Sequence, residues 1–413
     1  MRKPSILFIN RVYPPGRGAS GRLLRDLARA FARKGWQVTV VTTGPQAVKE
    51  RDGSVKVIRV KGAEKPGHAL SYLWVLVKLS VAALRRPRVD LVVSMTDPPF
   101  SVLLGALIKR VKKSKHIHWC QDVYPDLLPV FGYRLPGGVH KVMARITRNA
   151  MRRADKVIVI GRCMAKHLGY RGIAPKMMSV IPNWPEGVLL RDAAQDSAAI
   201  GDVAVTDKTR FRDYQDQAKT SAKFRILYAG NIGLAHPIDT ILEAALVLRE
   251  EHPEIEFLFV GDGPRYDEIS KFRARENLDT IKLLPYQPLH RLKTLMESGD
   301  VHLVSMKREA EGMVVPSKVY AAMAAGRPCV FIGPQGSEAA RVVQDFKAGC
   351  VVEPGNVRDL VRAIRTYRFE ADAWFAAQKG ATQAGQVFVP KSSINAWISR
   401  AEAVLGDVTG GGD

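Results

Sequence analysis

The strongest constraint on this chain's fold is a rhythm that runs, stops and starts again. Apolar stretches of strand length, SILFIN (5–10), QVTVVTT (37–43), VKVIRV (55–60), VDLVVSM (89–95), KHIHWCQ (115–121) and KVIVIG (156–161), alternate with segments whose apolar residues recur at helical spacing. From Glu186 to Lys223 the sequence turns polar and loses any period. The rhythm then resumes with FRILYAGN (224–231), IEFLFVGDG (255–263), IKLLPY (281–286), VHLVSM (301–306), PCVFIG (328–333) and CVVEPG (350–355). Strands without polar alternation, separated by amphipathic helices, form parallel sheets covered on both faces. A chain of 413 residues exceeds the size at which a single core stops growing. The expected class is therefore α/β, with two Rossmann-like, doubly wound domains. The expected boundaries are 1–185, a linker at 186–223, a second domain at 224–386 and a final helical segment at 387–413. Ligands of such sheets bind beyond the carboxyl ends of the strands, here in a cleft facing both domains.

The net charge of +23 is unevenly spread. Residues 1–190 carry 35 Lys plus Arg against 10 Asp plus Glu, and residues 191–413 carry 28 against 30. A first half with an excess of +25 seeks anions, whether nucleic acid, acidic lipid or a phosphorylated substrate. The run HALSYLWVLVKLSVAALRRPR (68–88) is too short for a membrane span and carries Lys78 in its middle, so it reads as a core or interfacial helix. Two further basic segments, LIKRVKKSKHIHW and HKVMARITRNAMRRADK, lie beside apolar residues, a pattern suited to an anionic membrane surface. The N-terminus lacks a long apolar region and a small-residue cleavage site, and the expected location is the cytoplasm, peripheral on the inner face of the plasma membrane. Cys120, Cys163, Cys329 and Cys350 lie far apart without C-x-x-C spacing, which excludes a disulfide framework and a zinc knuckle. His116, His118 and Cys120 alternate on one strand and read as buried strand residues rather than metal ligands.

The loop GRGASG (16–21) matches G-x-G-x-x-G literally, yet two features of a dinucleotide site are missing. RVYPP separates the first strand from the glycines, and the second strand ends in Thr42, Thr43 and Gly44 with no carboxylate for a ribose. The loop suits a phosphate or sugar, or serves as a flexible lead into a surface helix whose stripe is Leu24, Leu27, Ala28 and Phe31. In the second half, YAGNIG, VGDGP and GMVVPSK each follow a strand. Pro316 and Ser317 make a plausible helix start with Ser317 as cap, and Lys318 adds a positive charge where a diphosphate would bind. An ordinary capped helix with an exposed lysine is the other reading. Gln121 and Asp122, in HWCQDVYPD, could hold a sugar hydroxyl, accept a proton or cap the next helix. The sequence has no Ser-His-Asp arrangement, Walker lysine motif, H-E-x-x-H or D-x-D, so no metal site is expected, and a departing diphosphate would be stabilised by helix termini and lysines.

The ordered set RVYPPGRGASGR, QDVYPD, IPNWP (181–185), YAGNIG, VGDGP and PSKVYAAMAAGRP resembles the retaining GT-B glycosyltransferases of family 4, closest to the bacterial subgroup that builds capsule, exopolysaccharide and O-antigen. The resemblance implies an N-terminal acceptor domain, with Gln121 and Asp122 on the acceptor side, and a C-terminal domain binding a nucleotide-diphosphate sugar, a UDP-sugar being favoured. It places Gly230, Asn231 and Gly233 near the diphosphate, with Asp262 and Gly263 in the next turn. Tyr286 and Gln287 fall at the base, Glu311, Pro316, Ser317 and Lys318 at the sugar and phosphates, and Gly18 over the donor. Asp122 and Lys318 are the implied catalytic residues. No cofactor is implied, the acceptor is a lipid-linked or glycan saccharide, and the last helix, near SINAWISRAEAVL, returns to the first domain. Three departures stand out: Asn231 and His236 replace a basic pair, Ala321 replaces a glutamate expected at the ribose, and Gln121 replaces a histidine. A nucleotide-sugar 2-epimerase shares the fold, and a basic nucleic-acid-binding protein would share the charge. The first has no use for a basic membrane-facing half, and the second lacks a recognition helix or aromatic platform.

Overall fold

The computed structural model describes residues 3–16, 18–62, 69–190 and 223–406. Two compact units divide the chain. The first takes the chain up to Asn183, the four residues Gly312–Val315 and everything from Lys391 onward, and the second takes Trp184–Glu311 and Pro316–Pro390. Of the expected 186–223 linker, residues 191–222 lie outside the described residues, as do Arg17 and the GGGD tail.

In the first unit the elements run β1 (Ser5–Ile9), α1 (Ala19–Arg33), β2 (Gln37–Gly44), β3 (Val48–Asp52), β4 (Val55–Lys61), α2 (Ala69–Leu84), β5 (Leu91–Met95), α3 (Ser101–Lys112), β6 (Lys115–Cys120), α4 (Gly137–Arg153), β7 (Lys156–Val159), α5 (Arg162–Tyr170) and β8 (Met178–Val180). The sheet order is β3-β4-β2-β1-β5-β6-β7-β8, with every pair parallel except β3 against β4. Ile6, Leu7, Phe8 and Ile9 are all fully buried, because helices cover both faces of a central parallel strand. The stripe Leu24, Leu27, Ala28 and Phe31 of α1 is likewise buried against the sheet. α1 can start so close to the first strand because Gly21 is a glycine: a Cβ there would stand 2.8 Å from Val12 Cγ1 and 2.9 Å from Val12 O. Strand β3, VKERD, is polar and exposed, as an edge strand protected from further pairing should be, and carries none of the apolar signal that marks its neighbours.

Helix α2 is apolar on more than one face. Val75, Leu79 and Ala83 enter a core with Leu7, Ile9, Val41 and Leu104. Leu70, Leu73, Trp74, Val77 and Val81 stay in solvent, with Leu70 74% and Trp74 65% exposed. The run therefore serves the core with one side only.

The β3–β4 hairpin holds the loop before α1. Arg59 is buried and donates from Nη1 to Tyr13 O and Thr43 O, both at 3.2 Å, and from Nε to Glu50 at 2.7 Å. Asp52, at the end of β3, accepts from Tyr13 Oη at 2.8 Å and from Arg25 Nε at 3.0 Å, and also pairs with Arg29. Burial alone would raise the Asp52 carboxyl, but the hydrogen bonds from Arg29, Arg25 and Tyr13 outweigh it and hold the group well below the usual carboxylate range.

The second unit repeats the plan with β9 (Phe224–Asn231), α6 (Asp239–Glu251), β10 (Ile255–Asp262), α7 (Tyr266–Arg275), β11 (Ile281–Leu284), α8 (Leu292–Glu297), β12 (Val301–Ser305), α9 (Lys318–Ala324), β13 (Cys329–Ile332), α10 (Glu338–Asp345), β14 (Gly349–Val352), α11 (Val357–Phe369) and α12 (Ala371–Val387). Its sheet is parallel throughout, in the order β11-β10-β9-β12-β13-β14. The core is built from Phe224, Ile226, Tyr228, Phe257 and Phe259 of the central strands, with Ile241, Leu248, Leu360 and Trp374 from the helices. The last helix, α13 (Pro390–Gly406), belongs to the first unit from Lys391 on, where Trp397 packs on Trp119 with ring centroids 4.8 Å apart. Four residues expected in the C-terminal domain, Gly312–Val315, also fall in the first unit. The reason is backbone pairing: Asp122 and Val314 form an antiparallel bridge, and Val123 N donates to Met313 O at 2.9 Å.

Candidate functional sites

Each sheet reverses its strand order once, between β1 and β5 in the first unit and between β9 and β12 in the second. The carboxyl ends beside such a reversal splay apart and leave a crevice. Gly230 and Asn231 in the second unit, and Gln121 and Asp122 in the first, lie at the ends of strands beside these reversals.

In the second unit, β9 ends in Gly230 and Asn231, paired in register with Gly261 and Asp262 of β10. Gly230 has φ +114°, and a Cβ on it would come 3.3 Å from Lys318 Cε, so the backbone bends against the lysine where side-chain residues are disfavoured. Lys318 Nζ donates to Asn231 O at 2.8 Å and lies 5.2 Å over the Tyr228 ring. Burial pushes its ammonium down to about 8, so the site holds a cation with little neutralising charge beside it. His236 donates from Nδ1 to Ser305 O at 2.6 Å. Burial, with the Lys318 charge adding, pushes its imidazole down to about 3, so it is a neutral group and Lys318 is the charged one. Gly233 lies between Asn231 and His236, since a Cβ there would be 3.1 Å from Asn231 Nδ2 and 3.4 Å from His236 Cδ2. In the neighbouring turn Asp262 Oδ1 accepts from Gly263 N at 2.7 Å.

The remaining donor-side candidates belong to the same unit. Glu311 is exposed, and its carboxylate packs where a side chain on Gly336 would be. Tyr286 is 43% exposed on the loop after β11, where Gln287 Nε2 donates to Pro285 O at 2.9 Å. Pro316 and Ser317 precede α9, but Ser317 is no side-chain cap: it has φ −64° and ψ −13° and its hydroxyl accepts nothing from the helix. Its backbone is already helical, so the side chain cannot swing back over the first turn as a capping serine does. Lys318 likewise is not the exposed lysine of an ordinary capped helix.

In the first unit the crevice is a cavity of about 170 Å3. Arg11 reaches it from the β1–α1 connection, Ser20 from the first turn of α1, Tyr72 from α2, Thr96 and Asp97 from just past β5, and Gln121, Asp122 and Tyr124 from just past β6. Thr96 Oγ1 accepts from Gln121 N at 2.7 Å and Asp122 N at 3.2 Å, which fixes the turn. Asp122 caps no helix, since its backbone is paired with Val314. Burial, with the Asp97 charge adding, pushes its carboxyl up to about 7. The Gln121 amide is held in a reciprocal pair with Asn183, at 3.1 and 2.7 Å, which leaves it one N–H and one lone pair toward the cavity it lines. This also gives the IPNWP motif a role, because Asn183 supports the Asp122 turn from 62 residues away. Gly18 stands at the start of α1 with φ +157°, its Cβ position 3.2 Å from Val12 Cγ1.

His116 and His118 do not form a metal centre. Both rings bond the Ser94 hydroxyl, at 2.8 and 3.0 Å, and burial lowers the pKa of each. Among the described residues no group of three or more His, Cys, Asp or Glu could hold a metal ion.

Arg11, Asp97, Tyr72, Tyr124 and Asn183 escape sequence reasoning. Arg11, Tyr124 and Asn183 lie inside the quoted motifs RVYPPGRGASGR, QDVYPD and IPNWP without standing out in them, and Asp97 had a signal as a carboxylate just past the end of a parallel strand.

Residues 18–184 match the family described as glycosyl transferase 4-like domain, and residues 209–368 match glycosyl transferases group 1. The chain belongs to the family 4 glycosyltransferases. Over 384 residues the transferase is 27% identical to the putative colanic acid biosynthesis glycosyl transferase WcaI of Escherichia coli K12, covering 87% of this chain and 91% of that one. Its fold is the GT-B fold. Sucrose-phosphate synthase from Thermosynechococcus elongatus superposes with a TM-score of 0.75 at 16% identity, covering 98% of this chain and 100% of that one. Anabaena HepE in complex with UDP-glucose superposes with a TM-score of 0.67 at 17% identity, covering 97% and 99%. No helix among the described residues is long and apolar enough to cross a membrane.

Proposed function

We propose that the transferase moves a hexosyl or N-acetylhexosaminyl group, with retention, from a UDP-sugar to a lipid-linked saccharide during synthesis of a cell-surface polysaccharide. The observation that carries this reading is Lys318, a cation under strong desolvation beside the Gly230–Asn231 turn at the strand reversal of the second unit. A site built this way is poised for a polyanion. The Escherichia coli relative named for colanic acid biosynthesis supports the polymer, and the neighbour solved with UDP-glucose supports the donor.

Gly18, Gly230, Asn231, Gly233, Asp262 and Gly263 bring backbone near the donor, Lys318 neutralises the diphosphate, and Pro316 and Ser317 start the helix that carries it. Tyr286 and Gln287 meet the base, and Glu311 the sugar. The bond from the anomeric carbon to the diphosphate breaks first, through an oxocarbenium-like state stabilised mainly by charge on the leaving side. The acceptor oxygen, oriented by Asp122, attacks the same face as its proton passes to the departing diphosphate. No metal is needed for this step, since Lys318 and backbone N–H groups carry the charge. Leu70, Leu73, Trp74, Val77 and Val81 of α2 meet the membrane, and the basic residues around them meet its anionic lipid rather than nucleic acid.

A panel of UDP- and GDP-sugars with EDTA present tests the reading. A cognate donor at a hundredfold its Kd stabilises the protein by about 2.7 kcal/mol. If no nucleotide sugar raises the melting temperature or is slowly hydrolysed, the reading fails.

A further inference from the structure

The cavity of the first unit carries chemistry beyond Asp122. Asp97 follows β5 and binds Arg11 through both oxygens, Nε to Oδ1 at 2.7 Å and Nη2 to Oδ2 at 2.8 Å. Among the described lining residues Arg11 is the sole cation, and this paired geometry commits it to Asp97. A phosphate or carboxylate entering here would leave water for a pocket whose cation is already neutralised and would face two acidic groups. Each Asp97 oxygen keeps a second lone pair, so the ion pair can still accept from hydroxyls. Asp122 adds another acceptor, and Tyr72 and Tyr124 supply aromatic surface with a polar tip. A cavity of about 170 Å3 holds the equivalent of about six waters, room for one sugar ring and little more.

Resting on the transferase reading, we infer that this cavity is a subsite for a neutral pyranose, the terminal sugar of the acceptor, and that Asp97 with Asp122 makes it reject phosphorylated and uronic sugars. Asp97 is the specificity-determining residue: it occupies the one cation that an anionic sugar would otherwise use. The carrier's phosphates then lie outside the cavity. An earlier glycosyl or sugar-phosphate transfer must supply the substrate, so this enzyme extends a saccharide and does not start one on a bare lipid phosphate.

The test uses the full chain saturated with UDP, so that the donor site is filled, and ligand-detected NMR with neutral methyl glycosides of the common hexoses, 6-deoxyhexoses and N-acetylhexosamines. Each is paired with its 6-phosphate or uronate counterpart wherever carbon 6 bears oxygen. The wild type should bind at least one such neutral member and bind its anionic counterpart at least tenfold more weakly. Asp97→Asn, which releases Arg11, should narrow that gap at least tenfold. Asp122→Asn, which keeps the shape, should narrow it in the same direction and serves if the first variant does not fold. Equal binding of an anionic counterpart by the wild type, an unchanged gap in the folded variants, or no binding of any such neutral member overturns the inference. UDP binding in the same samples separates this failure from failure of the transferase reading, which would lose UDP as well.

Discussion

Replacing Lys318 with Met separates ligand binding from folding. In the protein the amine sits against the Tyr228 ring and donates to Asn231 O, and burial lowers it from an ordinary 10.5 to about 8. A charge-assisted contact to a diphosphate contributes about 1.5 to 3 kcal/mol, so Lys318→Met should weaken UDP roughly tenfold to a hundredfold near neutral pH. The pH dependence is a second signature. A bound diphosphate favours the charged amine and raises its pKa again, so binding above about pH 8 must take up a proton. Wild-type affinity should therefore be highest below that point and fall by up to about tenfold per pH unit above it, whereas the Met variant should show no such fall. Stability moves the other way. A cation whose folded pKa is depressed disfavours the native state below about pH 8, so the variant should melt no lower than wild type near neutrality. Calorimetric titration with UDP from about pH 7 to about pH 9.5, with melting curves on both proteins, covers all three. Unchanged UDP affinity in the variant, a flat wild-type profile, or a variant that simply melts early would refute the reasoning.

Asp122→Asn should lower transfer while leaving UDP affinity nearly unchanged, and wild-type transfer should rise as pH climbs through about 7 and the carboxylate forms. Because the folded pKa is raised, the acid form stabilises the protein at low pH and that contribution fades as pH rises toward about 7, so the melting advantage of the Asn variant should open over the same range. Asn183→Ala strands the buried Gln121 amide and should cost about 1 to 3 kcal/mol in denaturant titrations, whereas replacing both residues with Leu should cost less. Trp74→Ser should reduce flotation with phosphatidylglycerol vesicles at every salt concentration, while salt alone weakens both proteins, and equal flotation of the two would count against α2 as the inserting element.

The sheet strands with apolar signal were legible because parallel strands buried on both faces announce themselves as uninterrupted runs. Strands β3 and β8 were not: VKERD is an exposed edge and MSV is three half-exposed or exposed residues. The grouping of Gly230, Asn231 and Lys318 was legible as glycine turns and a lysine that follow strands in order. The cavity of the first unit was legible at Gln121 and Asp122 and not as a whole, because its other walls meet by long-range contact. Arg11 and Asp97 are 86 residues apart, and Gln121 and Asn183 are 62 apart, so no local period encodes either pair. The Ser317 cap failed for a different reason. A serine before a helix signals a cap only if its backbone stays outside the helix, and here it does not.

The chain's route through its two units bears on how it can be made. The first unit is closed by residues synthesised after the whole of the second, since Trp397 of α13 covers Trp119, and both rings are fully buried. At roughly 5 to 20 residues per second, the ribosome needs about 15 to 55 s to travel from one tryptophan to the other. For that interval Trp119 lacks the ring that packs on it in the finished fold. Nor would severing the gene between Asn183 and Trp184 yield two independent folding units, because the first would lack both Gly312–Val315 and its closing helix.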